Sequence, residues 1–275
     1  MTTTPAHPLA GTLQRGCART HGGHHLGAAL GAATAAGWTP VACLVDDRRL
    51  LDEALAGVGR EVGSDRRDVQ ASLLLEAYAW QLVLPIAGAL IAESRVPTPG
   101  PDGTAVYFTD DGRPYAIRLL HGRFAALPED PANGHPDVEV VSNRRDLDLR
   151  LRRWLLTHFE PVVGALNAAS GRPRRALWRT VADRTATALL YAGLASDRVA
   201  AARAVAERTL DGEAPLDHPA RYGEIDKQPV HLRHGCCLWW RTAAATTCLT
   251  CPLRVSGGDR VPVHGLDRPE SLTRA

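Results

Sequence analysis

Apolar residues recur at three- and four-residue intervals along most of the chain and change to alternation only in its middle. Ser64 or Asp65 is placed to cap a long helix on which Leu73, Leu74, Ala77, Tyr78, Leu82 and Val83 share a face, and Pro85 is expected to kink or restart it. The run HHLGAALGAATAAG from His24 predicts a small-residue helix stopped by Gly37; Asp46 to Gly59 predicts a second, with Leu50, Leu51, Ala54 and Leu55 at helical spacing. Beyond the Pro97–Gly103 break, VYFTDDGRPYAIRLL reads as two strands about an Asp111-Gly112 turn, a third run lies between Gly122 and Pro128, and a fourth covers Val138 to Val141. Their short connections predict an antiparallel meander. Helices return at Asp146 to Phe159, at Pro161 to Ala169 with proline in the first turn, at Pro173 to Leu194, and from Ser196 or Asp197 to Leu210, while Asp211 to Pro229 reads as loop.

The expected fold class is therefore α+β. Residues 1–226 form a mostly helical body with a small antiparallel β-meander, 227–256 a short C-terminal module, and 257–275 a flexible tail.

The formal charge of +2 is spread along the chain, which argues against a nucleic-acid partner. Leu73 to Ala92 is apolar enough to raise a membrane span, but Glu76, Gln81 and Pro85 interrupt it, so it reads as a buried core helix in a chain that does not span a membrane. The start, MTTTPAHPLAGTLQRGCART, shows no apolar segment behind a basic one, and Thr12 follows Leu9-Ala10-Gly11 where a lipidated cysteine would have to stand. A cytoplasmic location is expected, where cysteines stay reduced and are free to act as ligands.

Four of the six cysteines fall in HGCCLWWRTAAATTCLTCPLR: Cys236 and Cys237 side by side, then Cys248 and Cys251 as a C-x-x-C pair. Four such sulfurs suit zinc or an iron-sulfur cluster, although structural zinc sites space their ligands more widely than a vicinal pair does. The pattern C-C-x10-C-x2-C, followed by Pro252 and Leu253, resembles the carboxy-terminal signature of the FhuF-type ferric-siderophore reductases. That resemblance implies a [2Fe-2S] cluster on Cys236, Cys237, Cys248 and Cys251, with no catalytic side chain beyond these ligands. It also implies a ferric siderophore as substrate, its Fe(III) reduced to Fe(II) by one electron. Nothing marks a nucleotide or flavin site, so the electron must come from outside, from a ferredoxin or a flavin reductase. The alternatives are a zinc- or cluster-binding regulatory or structural module, and a siderophore-assembly protein, since the helical body of this family also looks like part of the siderophore synthetases.

Arg233, Arg241 and Arg254 flank the ligands and are placed to offset cluster charge; Trp239 and Trp240, read as a short strand, point to opposite sides. Arg172, Arg174 and Arg175, and Arg144, Arg145, Arg152 and Arg153, read first as salt-bridging helix surface and second as a rim for an anionic chelate. His21, His24 and His25 read as exposed loop, and Cys17 and Cys43 as buried or incidental thiols. Gly57, Gly59 and Gly63 approximate a dinucleotide turn but follow a helical run where that turn needs a strand.

Overall fold

The computed structural model describes residues 7–33, 37–110 and 112–255; the side chains of residues 254 and 255 lie outside the description, as do Asp111 and the segment 257–275 expected to form a tail. In chain order the helices are α1 (Pro8–Cys17), α2 (Val41–Asp46), α3 (Arg48–Val62), α4 (Arg67–Glu93), α5 (Arg144–Ser170), α6 (Arg174–Leu194), α7 (Val199–Leu210) and α8 (Pro252–Val255). The strands are β1 (Thr20–His21), β2 (His24–His25), β3 (Ala29–Leu30), β4 (Trp38–Pro40), β5 (Arg95–Pro97), β6 (Thr104–Phe108), β7 (Pro114–Leu119), β8 (Phe124–Ala126), β9 (Val138–Val140), β10 (Tyr222–Ile225) and β11 (Gln228–His231). The class is α+β, mostly helical, with small sheets.

The axis of the molecule is α4. Leu75, Ala79, Leu82, Ile86 and Leu90 are wholly buried, and α1, α3, α5 and α6 pack around them. Among the described residues α4 is the one helix long and apolar enough to cross a membrane, and almost all of its most apolar stretch is buried inside the protein, as expected of a core helix. Pro85 sits inside α4 and Pro161 inside α5, and neither ends its helix. A proline interior to a helix costs on the order of 3 kcal/mol, which burial of apolar residues on both sides offsets here.

The strand runs lie where alternation placed them, but they do not make one meander. The antiparallel pair β6–β7 is flanked by β4 and, in parallel, by β3, whereas β8 pairs antiparallel with β5 and parallel with β9 in a second sheet. The stretch read as a helix from His24 instead holds β2 and β3, joined through Leu26, Gly27 and Ala28. Gly27 lies so close to Leu13 and Cys17 that a Cβ there would overlap them, and Gly31 has φ 120, a region costly for other residues. The segment read as loop carries the hairpin β10–β11. Its turn residues Asp226 and Lys227 have φ 50 and 63, the doubly positive pair of a type I′ turn, with no glycine to signal it. The hairpin straddles the boundary expected between residues 226 and 227.

Deep beside α4, His158 of α5 donates from Nδ1 to the Pro99 carbonyl at 2.9 Å and accepts at Nε2 from the Tyr78 hydroxyl. Burial pushes this imidazole down to about 4, so it is neutral in the fold. An unfolded histidine takes up a proton near 6.5. The neutral ring therefore stabilises the fold fully above pH 6.5, and that contribution fades as pH falls toward 4, by about 3 kcal/mol in all. Urea denaturation at pH 7 and pH 4.5 should show a steeper loss in the parent than in a His158→Asn variant; equal losses would remove His158 as the cause.

Candidate metal centre

The segment that carries the cysteines is held to α6 and α4 by buried charges. Glu76 on α4 lies between Arg184 of α6 and Arg233, pairing with both. Burial opposes the Glu76 charge, and the two guanidinium groups more than offset it, keeping the carboxylate below its usual range. Arg233, buried as well, is held firmly cationic by Glu76, with Cys237 and Asp183 adding to the effect against the cost of burial. Asp183, on α6 and 2 % exposed, accepts the backbone N–H groups of His234 at 2.9 Å and Gly235 at 2.8 Å, and Arg233 Nε stands 3.7 Å from its Oδ2. The approach to Cys236 is thus fixed by two main-chain hydrogen bonds to one carboxylate. At Gly235 a Cβ would meet Arg179 Cβ at 3.1 Å and Asp183 Oδ2 at 3.2 Å, so a larger residue would push the segment off α6.

From there the chain turns sharply. The Cys236 carbonyl accepts from Arg172 Nη2 at 2.8 Å, and Leu238 adopts a left-handed conformation (φ 66) that starts a single 3-10 turn, Trp239–Arg241. Trp239 and Trp240 accordingly lie on a helical turn and not on the strand expected for them. Trp240 is exposed, with the Arg241 guanidinium 4.6 Å above its ring, while Trp239 packs against the core. Ala243 N–H then donates to the Val62 carbonyl at 3.0 Å, pinning the loop to the C-terminus of α3. There Gly63 is left-handed and has no room for a side chain beside Ala243. Cys251 N–H donates to the Cys248 carbonyl at 3.1 Å, closing the C-x-x-C turn.

These contacts bring Cys237 and Cys248 together, Sγ to Sγ 3.1 Å. The pair holds its protons unequally. The hydrogen bond from Cys248 foremost, with Arg233 adding, pushes Cys237 down to about 6 against its burial; the same bond and burial push Cys248 up. Burial raises Cys251, and the nearby charges of Cys236 and Cys237 raise it further. Backbone N–H groups of Trp239 and Leu253 donate to the sulfurs of Cys237 and Cys251. Each of these two residues lies two positions beyond its cysteine.

Four thiols in one segment, two of them 3.1 Å apart, form a donor set of the kind that suits zinc or an iron-sulfur cluster. Zinc about 2.3 Å from four sulfurs holds every pair of them within about 3.8 Å, whereas among the described residues no three of these sulfurs lie within 4.8 Å of one another. The close pair Cys237 and Cys248 is of the kind that would hold one metal of a sulfide-bridged core.

Elsewhere, His7, His135 and Asp137 cluster within 4.8 Å. Both imidazoles accept a backbone N–H at Nδ1, from Leu9 and Asp137, each at 3.1 Å, which puts the ring proton on Nε2; in His7 that proton goes to Asp137. The trio reads as a clasp between α1 and the β9 approach. The expected histidine loop is a small hairpin, β1–β2, with His21 edge-on to Tyr191 and His24 edge-on to Trp80. Cys17 and Cys43 are exposed, not buried.

A family model described as ferric iron reductase FhuF-like transporter matches residues 72–230, more than half of the chain. No curated protein matches it. Among solved structures, aerobactin synthetase IucA from a hypervirulent pathotype of Klebsiella pneumoniae is similar at 17% identity and TM-score 0.47, over 60% of this chain and 31% of that one. The petrobactin biosynthesis protein AsbB from Bacillus anthracis str. Sterne is similar at 13% identity and TM-score 0.39, over 61% of this chain and 31% of that one. The chain thus spans about a third of the length of these two structures.

Proposed function

The chain belongs to the ferric iron reductase FhuF-like family, whose function is related to iron and siderophores, and from that premise we propose that it is a cytoplasmic ferric-siderophore reductase holding a [2Fe-2S] cluster on Cys236, Cys237, Cys248 and Cys251. The observation that carries this reading is the paired arrangement of thiols, Cys237 against Cys248, beside the buried cation Arg233. A bound [2Fe-2S] cluster supplies storage for one electron between an external donor and the Fe(III) of the chelate. One electron is enough, because the hard oxygen donors of a siderophore grip Fe(III) far more tightly than Fe(II).

The protein's part is to hold thiolates and manage charge. Arg233 favours the Cys237 thiolate, and the N–H groups of Trp239 and Leu253 favour negative sulfur at Cys237 and Cys251. Glu76 and Asp183 fix Arg233 so that its charge does not swing away. No general base or nucleophile is required of the side chains, since no proton or group is transferred to the chelate. An external donor, a ferredoxin or a flavin reductase, supplies the electron.

Protein prepared without oxygen should contain about two iron and two acid-labile sulfide per chain and give a rhombic low-temperature EPR signal after dithionite. One zinc per chain and no sulfide would sink the reading. Mixed with a ferric trihydroxamate, the reduced protein should release Fe(II) to a chelator with loss of that signal.

A further inference from the structure

Five large apolar side chains are exposed among the described residues, and two of them, Trp240 (39 %) and Leu253 (48 %), stand in the short cysteine segment. Both are tied to the thiols through the backbone. Leu253 N–H donates to the Cys251 sulfur, and the N–H of Trp239, one residue before Trp240, donates to that of Cys237. The turn that presents the indole is fixed as well: Arg241 N–H donates to the Leu238 carbonyl at 2.8 Å, and the Thr242 hydroxyl to the Trp239 carbonyl at 2.8 Å. Two rigidly held apolar side chains at the surface, with a guanidinium over one ring, have the composition of an interface centre, where tryptophan and arginine carry most of the binding.

The charges around them select the partner. Arg241 lies 3.7 Å from Asp68, a carboxylate that Arg66 also holds at 3.0 Å. Arg172, bonded to the Cys236 carbonyl, is close enough to feel both Arg241 and Asp68. Beside Cys236, Arg179 packs at Gly235, and Arg175 and Arg179 act on the charge of His218, as does Asp217. With Asp65 next to Arg66, five guanidinium groups stand against three carboxylates. The buried anions Glu76 and Asp183 are already matched by Arg184 and Arg233. The excess is therefore positive. Thiolates that hold a metal core repel an acidic protein, and a cationic rim at the edge of the site is what lets one approach.

We propose that Trp240, Leu253 and Arg241 form the docking surface for an acidic one-electron carrier protein of the ferredoxin class, with the surrounding arginines as its rim. The inference rests on the reductase reading and names the partner that supplies its electron. Docking here sets the carrier against the edge of the thiol set; the carrier is oxidised by one electron, which the site gains, and no bond or proton changes hands. Partners that must part after each electron use small interfaces, below about 1,200 Å² in total, and two apolar anchors within a charged rim suit one.

The test is calorimetric titration of the protein, as purified without oxygen, with an oxidised plant-type [2Fe-2S] ferredoxin of acidic composition. The two should bind one to one, with an affinity that falls at least about tenfold from about 20 to about 200 mM salt. Trp240→Ala should weaken binding at least about tenfold, Trp240→Phe should recover part of the loss, and Arg241→Gln should weaken it about threefold and flatten the salt dependence. Iron content and the EPR signal after dithionite should stay parental in all three. Leu253→Ser, in the other half of the segment, should also weaken binding and keeps the test decisive if Trp240→Ala sheds iron. No binding of the ferredoxin, an affinity indifferent to salt, or parental affinity in both Trp240→Ala and Leu253→Ser would overturn the proposal. The reductase reading fails separately, through absent sulfide or no Fe(II) release from the trihydroxamate.

Discussion

Cys237→Ser protein should leave anaerobic purification with almost no bound iron or sulfide, and its rate of Fe(II) release from a ferric chelate should fall by at least about 100-fold. The thiol of Cys237 is the point where the supports of the site converge: it is 5 % exposed, lies 3.1 Å from Cys248 Sγ, receives the Trp239 N–H, and stands beside Arg233. A serine hydroxyl is shorter, harder and not ionised near neutral pH, so it forfeits the thiolate that Arg233 favours and breaks the pairing with Cys248. Cys17→Ser and Cys43→Ser, both at exposed positions remote from any other cysteine in sequence, should retain full iron content. Because the Cys237 thiol is held low while burial and the shared hydrogen bond hold the Cys248 proton, uptake of iron by the apoprotein should rise with pH, as protonation stops competing with the metal. Retained iron and a parental reduction rate in Cys237→Ser would remove the vicinal pair from the ligand set.

What the sequence disclosed of this site was its inventory, and what it concealed was the frame. The four cysteines are visible because two close pairs of thiols stand in one short stretch at spacings that suit metal ligation. Glu76 is equally visible as a charge interrupting an apolar helix, yet nothing local connects it with Arg233, 157 residues away. Asp183 is similar: a lone acid on a helix reads as solvated surface until the tertiary fold sets it under two backbone N–H groups. The helices with strong three-four periodicity, α4 and α6, were legible to within a few residues because their buried faces are long. The failures fall where local chemistry is ambiguous: alanine and glycine between His24 and Gly37 satisfy a helical pattern without burying enough to hold a helix, and Pro229 and Gly223 disguise a hairpin whose turn is formed by Asp226 and Lys227.

Glu76→Gln should be the most damaging substitution outside the cysteines, lowering stability by about 3–5 kcal/mol, on the order of 10 °C in Tm, as measured by urea and thermal denaturation. The carboxylate lies in the core with 4 % exposure and is shared by Arg184 and Arg233, of which Arg233 is 8 % exposed. A glutamine keeps the shape but leaves two guanidinium groups with one neutral acceptor, and Arg233 retains only Asp183, 3.7 Å away. Burying that uncompensated charge costs far more than the intact pair contributes over a neutral equivalent, so the loss measures the desolvation penalty and not the worth of an ion pair. The substitution also separates stability from electronics at the metal centre. With Glu76 neutral, the positive charge of Arg233 acts on the thiolates without a counter-charge, so iron-loaded Glu76→Gln protein should have a higher reduction potential than the parent even while it unfolds more easily. Glu76→Asp, which keeps the charge at a shorter reach, should recover the potential better than it recovers stability. A variant whose stability falls while its potential stays at the parental value would show that Glu76 braces the fold but leaves the field at Cys237 and Cys248 to other groups.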